Sequence, residues 1–279
     1  MNRKNFSKQW IWFKSIKYTK FMIAQIPFHI PELEAMKKYP HELFYIGNTD
    51  LLHKKKIAIV GSRKPNQYAR TLTHQLAMKL SQAGICIVSG GALGVDAIAH
   101  KAAGVHNTIM IAATGLDKRY PAINKNIIAD IEKSGLVLSQ FQKGTPSQKY
   151  NFPLRNEVVV ALGDVLVVTY ADFNSGTMHS VEYALKMGKE VYVLAHRVGE
   201  SEATNDLLAK TKAKAIYDLD AFVAQFAELT CKETVLDEFL LYCQTTPTYD
   251  EALKKYPSKI FEAELNGTIE INNAKVYLC

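Results

Sequence analysis

Three short stretches of this 279-residue chain carry residues suited to gripping an anion. Gly61-Ser62-Arg63 follows the apolar run Ile57–Val60. Glycine lets the backbone approach a ligand closely, Ser62 offers a hydroxyl and a backbone N–H, and a guanidinium can hold a phosphate through two parallel hydrogen bonds. Ser89-Gly90-Gly91-Ala92-Leu93-Gly94 ends a second apolar run and opens a segment carrying Asp96 and His100. Asn174-Ser175-Gly176-Thr177 follows DVLVVTY and opens a segment carrying Glu182 and Lys186. Each stretch reads as a strand-to-helix turn of small residues. Such turns aim backbone N–H groups and the positive end of a helix at a ligand, so together they predict a phosphate-binding crevice at the strand carboxyl ends. Each residue also has an ordinary reading. Arg63 can simply face water, Ser175 or Thr177 can cap a helix, and Lys186 can reach the same face or be solvated.

A fourth stretch, Lys149-Tyr150-Asn151-Phe152-Pro153-Leu154-Arg155-Asn156, mixes two cations with two aromatics just before a helix. Cations on phosphates and an aromatic face under an unpaired base are the general means of holding a single strand. The alternative places Phe152 and Leu154 in the core and Arg155 in a salt bridge. Asp96 falls in a first helical turn, where a carboxylate suits the dipole. His100 has no second metal ligand at useful spacing, so a hydrogen-bonded structural role is expected and no metal site. Neither GxGxxG nor GxxxxGK[ST] occurs, so no nicotinamide cofactor and no P-loop ATPase activity is expected; the reading calls for no cofactor.

The elements that must position these turns follow from periodicity. Strands are expected at Ile57–Val60, Ile85–Val88, Thr108–Ala112, Leu136–Leu138, Val165–Thr169, Glu190–Leu194 and Ala215–Tyr217, with helical segments between most of them. Short apolar runs separated by helices imply a parallel sheet covered on both faces. The fold class is therefore α/β, an extended Rossmann-like doubly wound parallel sheet. Residues 1–22 read as a basic, disordered extension and residues 23–56 as a preamble with a short helix at Pro31 and a strand at Leu43–Gly47. Residues 57–228 form the Rossmann-like core. Over residues 229–279, three helices and a hairpin turning at Asn272-Asn273 read as a small winged-helix-like domain.

The net charge of +7 is uneven. Residues 1–56 hold 11 Lys/Arg against 4 Asp/Glu, whereas residues 229–279 hold 5 against 8. Overall basicity is thus weak evidence for a nucleic-acid partner, and the local turns must carry that reading. No run approaches the roughly 18–20 apolar residues of a membrane span. Four cysteines without CxxC spacing point to a reduced, cytoplasmic setting.

The pattern VGSR (Val60–Arg63), SGGALGVDAIAH (Ser89–His100), TGLDKRYPAIN (Thr114–Asn124), GLVLSQF (Gly135–Phe141), FPLRN (Phe152–Asn156), SGT (Ser175–Thr177) and the TN of ATNDLL (Ala203–Leu208) resembles the DNA-processing protein A family, also called Smf. The resemblance runs from about residue 40 to the C-terminus. It implies a Rossmann core that binds single-stranded DNA without catalysis, a homodimer, and delivery of a RecA-type recombinase to incoming DNA during natural transformation. By position it makes Ser62, Arg63, the Ser89–Gly94 turn, Lys149, Phe152, Asn174 to Thr177 and Lys186 the DNA-facing set, with Phe152 stacking on a base. The chain departs from the family pattern at Gln140 (usually Glu), Glu157 (usually Arg) and Ala195-His196 (usually Pro-Gly), and near Lys210–Ala213 (usually Gly-Ala). Glu157 is expected to add a negative charge beside the groove. The competing reading is an enzyme resembling nucleoside 5'-monophosphate phosphoribohydrolases, for which Ser175-Gly176-Thr177 and Glu182 echo part of a second glycine turn. The acidic C-terminal domain favours a protein contact over duplex DNA.

Overall fold

The computed structural model describes residues 22–227, 238–243, 245–265, 268–272 and 274–278. All but the last residue of the basic extension expected at the N-terminus therefore lies outside the described residues. The chain divides into two units, 1–227 and 228–279.

In the first unit the strands are β1 (Ala24–Gln25), β2 (Phe44–Gly47), β3 (Lys56–Val60), β4 (Cys86–Ser89), β5 (Thr108–Ile111), β6 (Leu136–Ser139), β7 (Val165–Val168), β8 (Val191–Leu194) and β9 (Lys214–Ile216). The helices are α1 (Gln67–Gln82), α2 (Val95–Ala103), α3 (Lys125–Ser134), α4 (Asn151–Leu162), α5 (Gly176–Lys186), α6 (Glu202–Ala209) and α7 (Leu219–Ala227). One nine-stranded sheet results, in the order β1-β2-β6-β5-β4-β3-β7-β8-β9. The ladders from β6 through β9 are parallel. Those of β2 with β6 and of β1 with β2 are antiparallel. The seven core strands expected from the apolar runs are all present, each within one residue at either end. β1 was not anticipated, because two residues carry no period.

The strands are apolar on both sides because both sides are covered. Along β3, Ile57 and Ile59 pack with Leu76 and Leu80 of α1, Val95 of α2 and Phe222 of α7. Ala58 and Val60 point the other way, into a cluster with Val158 and Leu162 of α4 and Val181 of α5. The turn at Pro31–Ala35 is a 3-10 helix rather than an α-helix. It is fastened to the core by an ion pair, Glu32 to the buried Lys56 ammonium at 2.7 Å. Burial pushes the Glu32 carboxyl up, but the Lys56 hydrogen bond and charge hold it below its usual value.

The second unit holds α8 (Glu238–Cys243), α9 (Tyr249–Lys255), α10 (Pro257–Leu265) and a hairpin of β10 (Ile269–Asn272) and β11 (Lys275–Leu278). Thr248 starts α9 with a capping box: its hydroxyl accepts from the Glu251 N–H, and the Glu251 carboxylate accepts from the Thr248 N–H at 3.0 Å. Phe239, Ile260, Ile269 and Val276 form its core. Asn272 pairs with Lys275, so the turn falls one residue later than expected, with Ala274 at φ 59°. Asn273 lies outside the described residues. Among the described residues, no helix is long and apolar enough to cross a membrane.

Candidate nucleic-acid interface

The chain leaves β3 toward β4, β5 and β6 on one side, then returns through α4 to place β7 on the other side of β3. The loops after β3 and β7 therefore diverge, and a crevice must open outside their carboxyl ends. A cleft of about 540 Å³ lies there. Ser62, Arg63 and Lys64 line it from β3, and Gly90 and Ala92 from β4. Phe152, Arg155 and Asn156 come from α4, and Asp172, Ser175, Gly176, Thr177 and Ser180 from the β7–α5 segment.

Two glycines are dictated by close approach. A Cβ on Gly94, at φ 76°, would stand 2.4 Å from the Ser62 carbonyl oxygen. Only glycine lets the start of α2 pack so tightly on the Ser62-Arg63 turn, where the Val95 N–H donates to Ser62 O at 3.2 Å. A Cβ on Gly90 would stand 2.5 Å from Arg155 Cζ. Arg155 is 5% exposed and fills the space under the glycine turn. Its Nη1 donates to the carbonyls of Gly90 and, at 2.8 Å, of Ile111, while Nε donates to Asn156 Oδ1 at 3.0 Å. Burial pulls the guanidinium down from its usual value, and the nearby Asp96 carboxylate opposes that. Burial likewise pushes the Asp96 carboxyl up, against the Arg155 charge and the Ala92 N–H it accepts at 3.2 Å.

Behind them His100 is structural. Thr108 Oγ1 donates to Ile87 O at 3.0 Å, so it accepts from His100 Nδ1 at 2.7 Å. The ring is thus the neutral Nδ1–H tautomer, and burial lowers its pKa to about 3. Among the described residues, no group of three or more His, Cys, Asp or Glu is placed to hold a metal.

Phe152 is half-buried at the lip of the cleft. Arg63 Cζ lies 5.7 Å and Arg155 Cζ 6.0 Å from its ring centroid, and the Tyr120 ring is 6.0 Å away, tilted by 50°. Leu93, Tyr120, Pro121 and Phe152 wall a smaller niche beside the main cleft. Across the cleft, Ser175 is the N-cap of α5, but its hydroxyl caps nothing. Ser175 Oγ and Ser180 Oγ are both buried without a hydrogen-bond partner. The Gly176 and Thr177 N–H groups have no partner within α5, whereas the Met178 N–H donates to Ser175 O at 3.1 Å. These donors, Arg63 and Lys64 face one space, and that combination suits an anion.

Several expected residues stand elsewhere. The Ser62 N–H is not free, since it donates to Tyr170 O at 2.8 Å; its hydroxyl accepts from the Lys64 N–H. Ser89 is fully buried, with its hydroxyl on Ile59 O at 2.6 Å. Gly91 faces Met110, so Ser89, Gly91 and Gly94 shape the turn without lining the cleft. Arg155 is a buried strut rather than a free cation. Lys149 is exposed just before α4, and Asn174 forms the turn before α5 at φ 58°; neither lines the cleft. Lys186 is the last residue of α5, about 15 Å of helix from the N–H groups it was expected to assist. There it suits the negative end of the helix dipole. Glu157 does not border the cleft either: it is buried, and its Oε1 accepts from the Lys37 N–H at 2.9 Å.

Tyr120, Lys64, Asn156, Asp172 and Ser180 were not anticipated. Ser180 follows Gly176 by one helical turn, so helix geometry could have placed it on the cleft. Tyr120 comes from the loop after β5, and no local signal aims it at Phe152.

The model of the DNA recombination-mediator protein A family matches residues 19–227. The chain belongs to that family. It is 34% identical to Protein Smf of Escherichia coli over 63% of this chain, which is 48% of Smf. The chain thus spans about half the length of that curated relative. Among solved structures, DNA processing protein A from Helicobacter pylori aligns with a TM-score of 0.73 and 38% identity, over 75% of this chain and 97% of that one. That protein has a single-stranded DNA binding mode described as unique. DprA from Streptococcus pneumoniae aligns with a TM-score of 0.68 and 32% identity, over 74% of this chain and 75% of that one.

Proposed function

We propose that this member of the family is a non-catalytic single-stranded DNA-binding protein. The observation that carries the reading is the pairing of an accessible aromatic ring, Phe152, with a cleft of unpartnered hydroxyls, helix N–H groups and the Arg63 guanidinium. Phosphates enter at the N-terminus of α5, and a base turns out toward Phe152 and Tyr120. Arg63 lies over the face of Phe152, so an arriving base displaces the guanidinium toward the backbone phosphate. An unpaired strand can turn a base outward at little cost, whereas a duplex must first unstack.

The family membership extends this reading. The protein acts as a homodimer in the cytoplasm, protects incoming strands and passes them to a RecA-type recombinase during natural transformation. The enzyme alternative has less support. Glu182 is exposed on α5 beside His179 and does not line the cleft, whose carboxylates are Asp96 and Asp172.

Fluorescence anisotropy at fixed salt tests the central reading, with a labelled oligothymidylate and a duplex of equal length. The single strand is expected to bind at least tenfold more tightly. Equal affinities overturn the stacking component. Release of free base from nucleoside monophosphates overturns the non-catalytic assignment.

A further inference from the structure

A second aromatic surface stands on the same rim, beyond the cleft, over the ends of β7 and β8. Tyr68, in the first turn of α1, is 49% exposed. Its ring meets His196 edge-on, with centroids 5.4 Å apart, and Tyr170 meets His196 the same way at 5.2 Å. His196 is held firmly. Its Nε2 lies 2.9 Å from Thr169 O, and because a carbonyl only accepts, Nε2 carries the ring hydrogen. Nδ1 is left buried with no partner.

The loop beneath is pinned by one side chain. Asn205 Oδ1 accepts from the His196 N–H at 3.2 Å, and Nδ2 donates to the carbonyls of His196, Arg197 and Glu200. Asn66, which caps α1, also donates to the Glu200 carboxylate at 3.0 Å. Tyr68 thus presents an exposed ring at the end of a run of three, with His196 between it and Tyr170. Lys64, four residues before Tyr68, lines the cleft and joins the two places.

Resting on the reading above, we propose that Tyr68, backed by His196 and Tyr170, is a second base-stacking platform for the strand that leaves the cleft past Lys64. The occupant is more of the same polynucleotide, because the platform adjoins the cleft, where the Ser62 N–H donates to Tyr170 O at 2.8 Å, and offers the aromatic face that suits an unpaired base. Charge does little here. Lys64 shares the cleft wall with Asp172, and Arg197 shares its loop with Glu200, so the platform adds stacking without adding net charge. It therefore lengthens the footprint while leaving the salt dependence alone.

The test compares oligothymidylates of four and twelve nucleotides, within the roughly 4–16 nucleotides that single-strand modules cover. The four-nucleotide strand fills only the cleft. Tyr68→Ala is expected to weaken the longer strand about 5- to 150-fold, the range that corresponds to one stacked base. It should leave the shorter strand within about twofold and the salt slope of the longer one unchanged. Tyr68→Phe, which keeps the ring, should restore the affinity. Equal losses at both lengths, no loss at twelve, or a wild-type protein that binds both lengths alike each overturn the second platform while leaving the cleft reading intact. Failure of the wild-type protein to bind either strand overturns both.

Discussion

Arg155→Met isolates the buried strut under the glycine turn. Methionine keeps the unbranched stem and removes the guanidinium. Four things are then left behind: the Gly90 and Ile111 carbonyls and the Asn156 amide oxygen without their donor, and the Asp96 carboxylate without its neighbouring charge. Hydrogen bonds from a charged donor contribute about 1.5–3 kcal/mol each. Breaking a buried charge pair by removing one member costs about 3–5 kcal/mol. These describe the same group and do not add, so the expected loss at pH 7 is about 3–5 kcal/mol, a large part of the 5–15 kcal/mol typical of a domain.

The charge component has a pH signature. Burial already holds the Asp96 carboxyl above its usual value, and losing Arg155 raises it further. A carboxyl raised by folding is least costly when protonated. The variant's deficit should therefore be smallest below the ordinary carboxylate range, near pH 4, and grow as pH rises through the folded-state value. Urea midpoints across pH 3.5 to 8 measure this, with Asp96→Asn and the double variant completing a cycle. In the Asp96→Asn background the pH dependence of the Arg155→Met loss should vanish. A deficit under about 1 kcal/mol at pH 7.5 with Asp96 present refutes the strut.

Three other outcomes follow from the same geometry. Arg63→Ala should flatten the log–log salt dependence of single-strand binding by about 0.7 for the phosphate it meets, whereas Lys186→Ala should change neither affinity nor slope; salt titrations of both variants check this. Phe152→Ala should cost about 1–3 kcal/mol of binding with no change in slope, read by anisotropy on one oligonucleotide at several salt concentrations. His100, whose folded pKa is lowered to about 3, favours the native state above its unfolded value near 6.5 and progressively less as pH falls toward 3. His100→Asn, whose amide can still donate to Thr108, should remove about one proton from the acid-unfolding slope, measured by urea midpoints between pH 3 and 7.

The sheet was legible because each core strand is a short apolar run ended by a turn signal, and parallel strands buried on both faces carry that signature undiluted. Gly61-Ser62-Arg63 and Ser175-Gly176-Thr177 were legible as turns bordering the cleft because small residues at strand-to-helix junctions have a direct backbone meaning. What local reasoning could not supply was direction. Lys186 carries the right charge on the right helix, yet eleven residues of helix put it at the wrong end. Glu157 lies two residues beyond Arg155, which turns it by about 200° to the opposite side of α4. Tyr120 and Ser180 enter the site only through tertiary packing. Tyr120 needs β5 placed beside β4, and Ser180 needs α5 packed on α4.

α4 explains why so many of the informative residues fall in one segment. It is the crossover that carries the chain from β6 back to β7, so it must lie across the sheet behind the switch point, where the cleft opens. Its middle and end, Val158–Leu162, are buried whichever way the side chains point, because the sheet, α5 and the preamble enclose it. A helix held on several sides has little freedom to roll. Residues three apart then emerge in fixed relation: Phe152 at the lip, Arg155 beneath it, with Asn156 one residue on donating to the Gly176 carbonyl at the start of α5. The same rigidity lets Glu157 fasten the backbone of the preamble on the far side. A guanidinium that spans two strand-end carbonyls fixes the spacing of β4 and β5 and, through the helix it belongs to, the height of the Phe152 ring above them. The base stacking proposed for Phe152 needs that ring at one place, and the burial of α4 is what keeps it there.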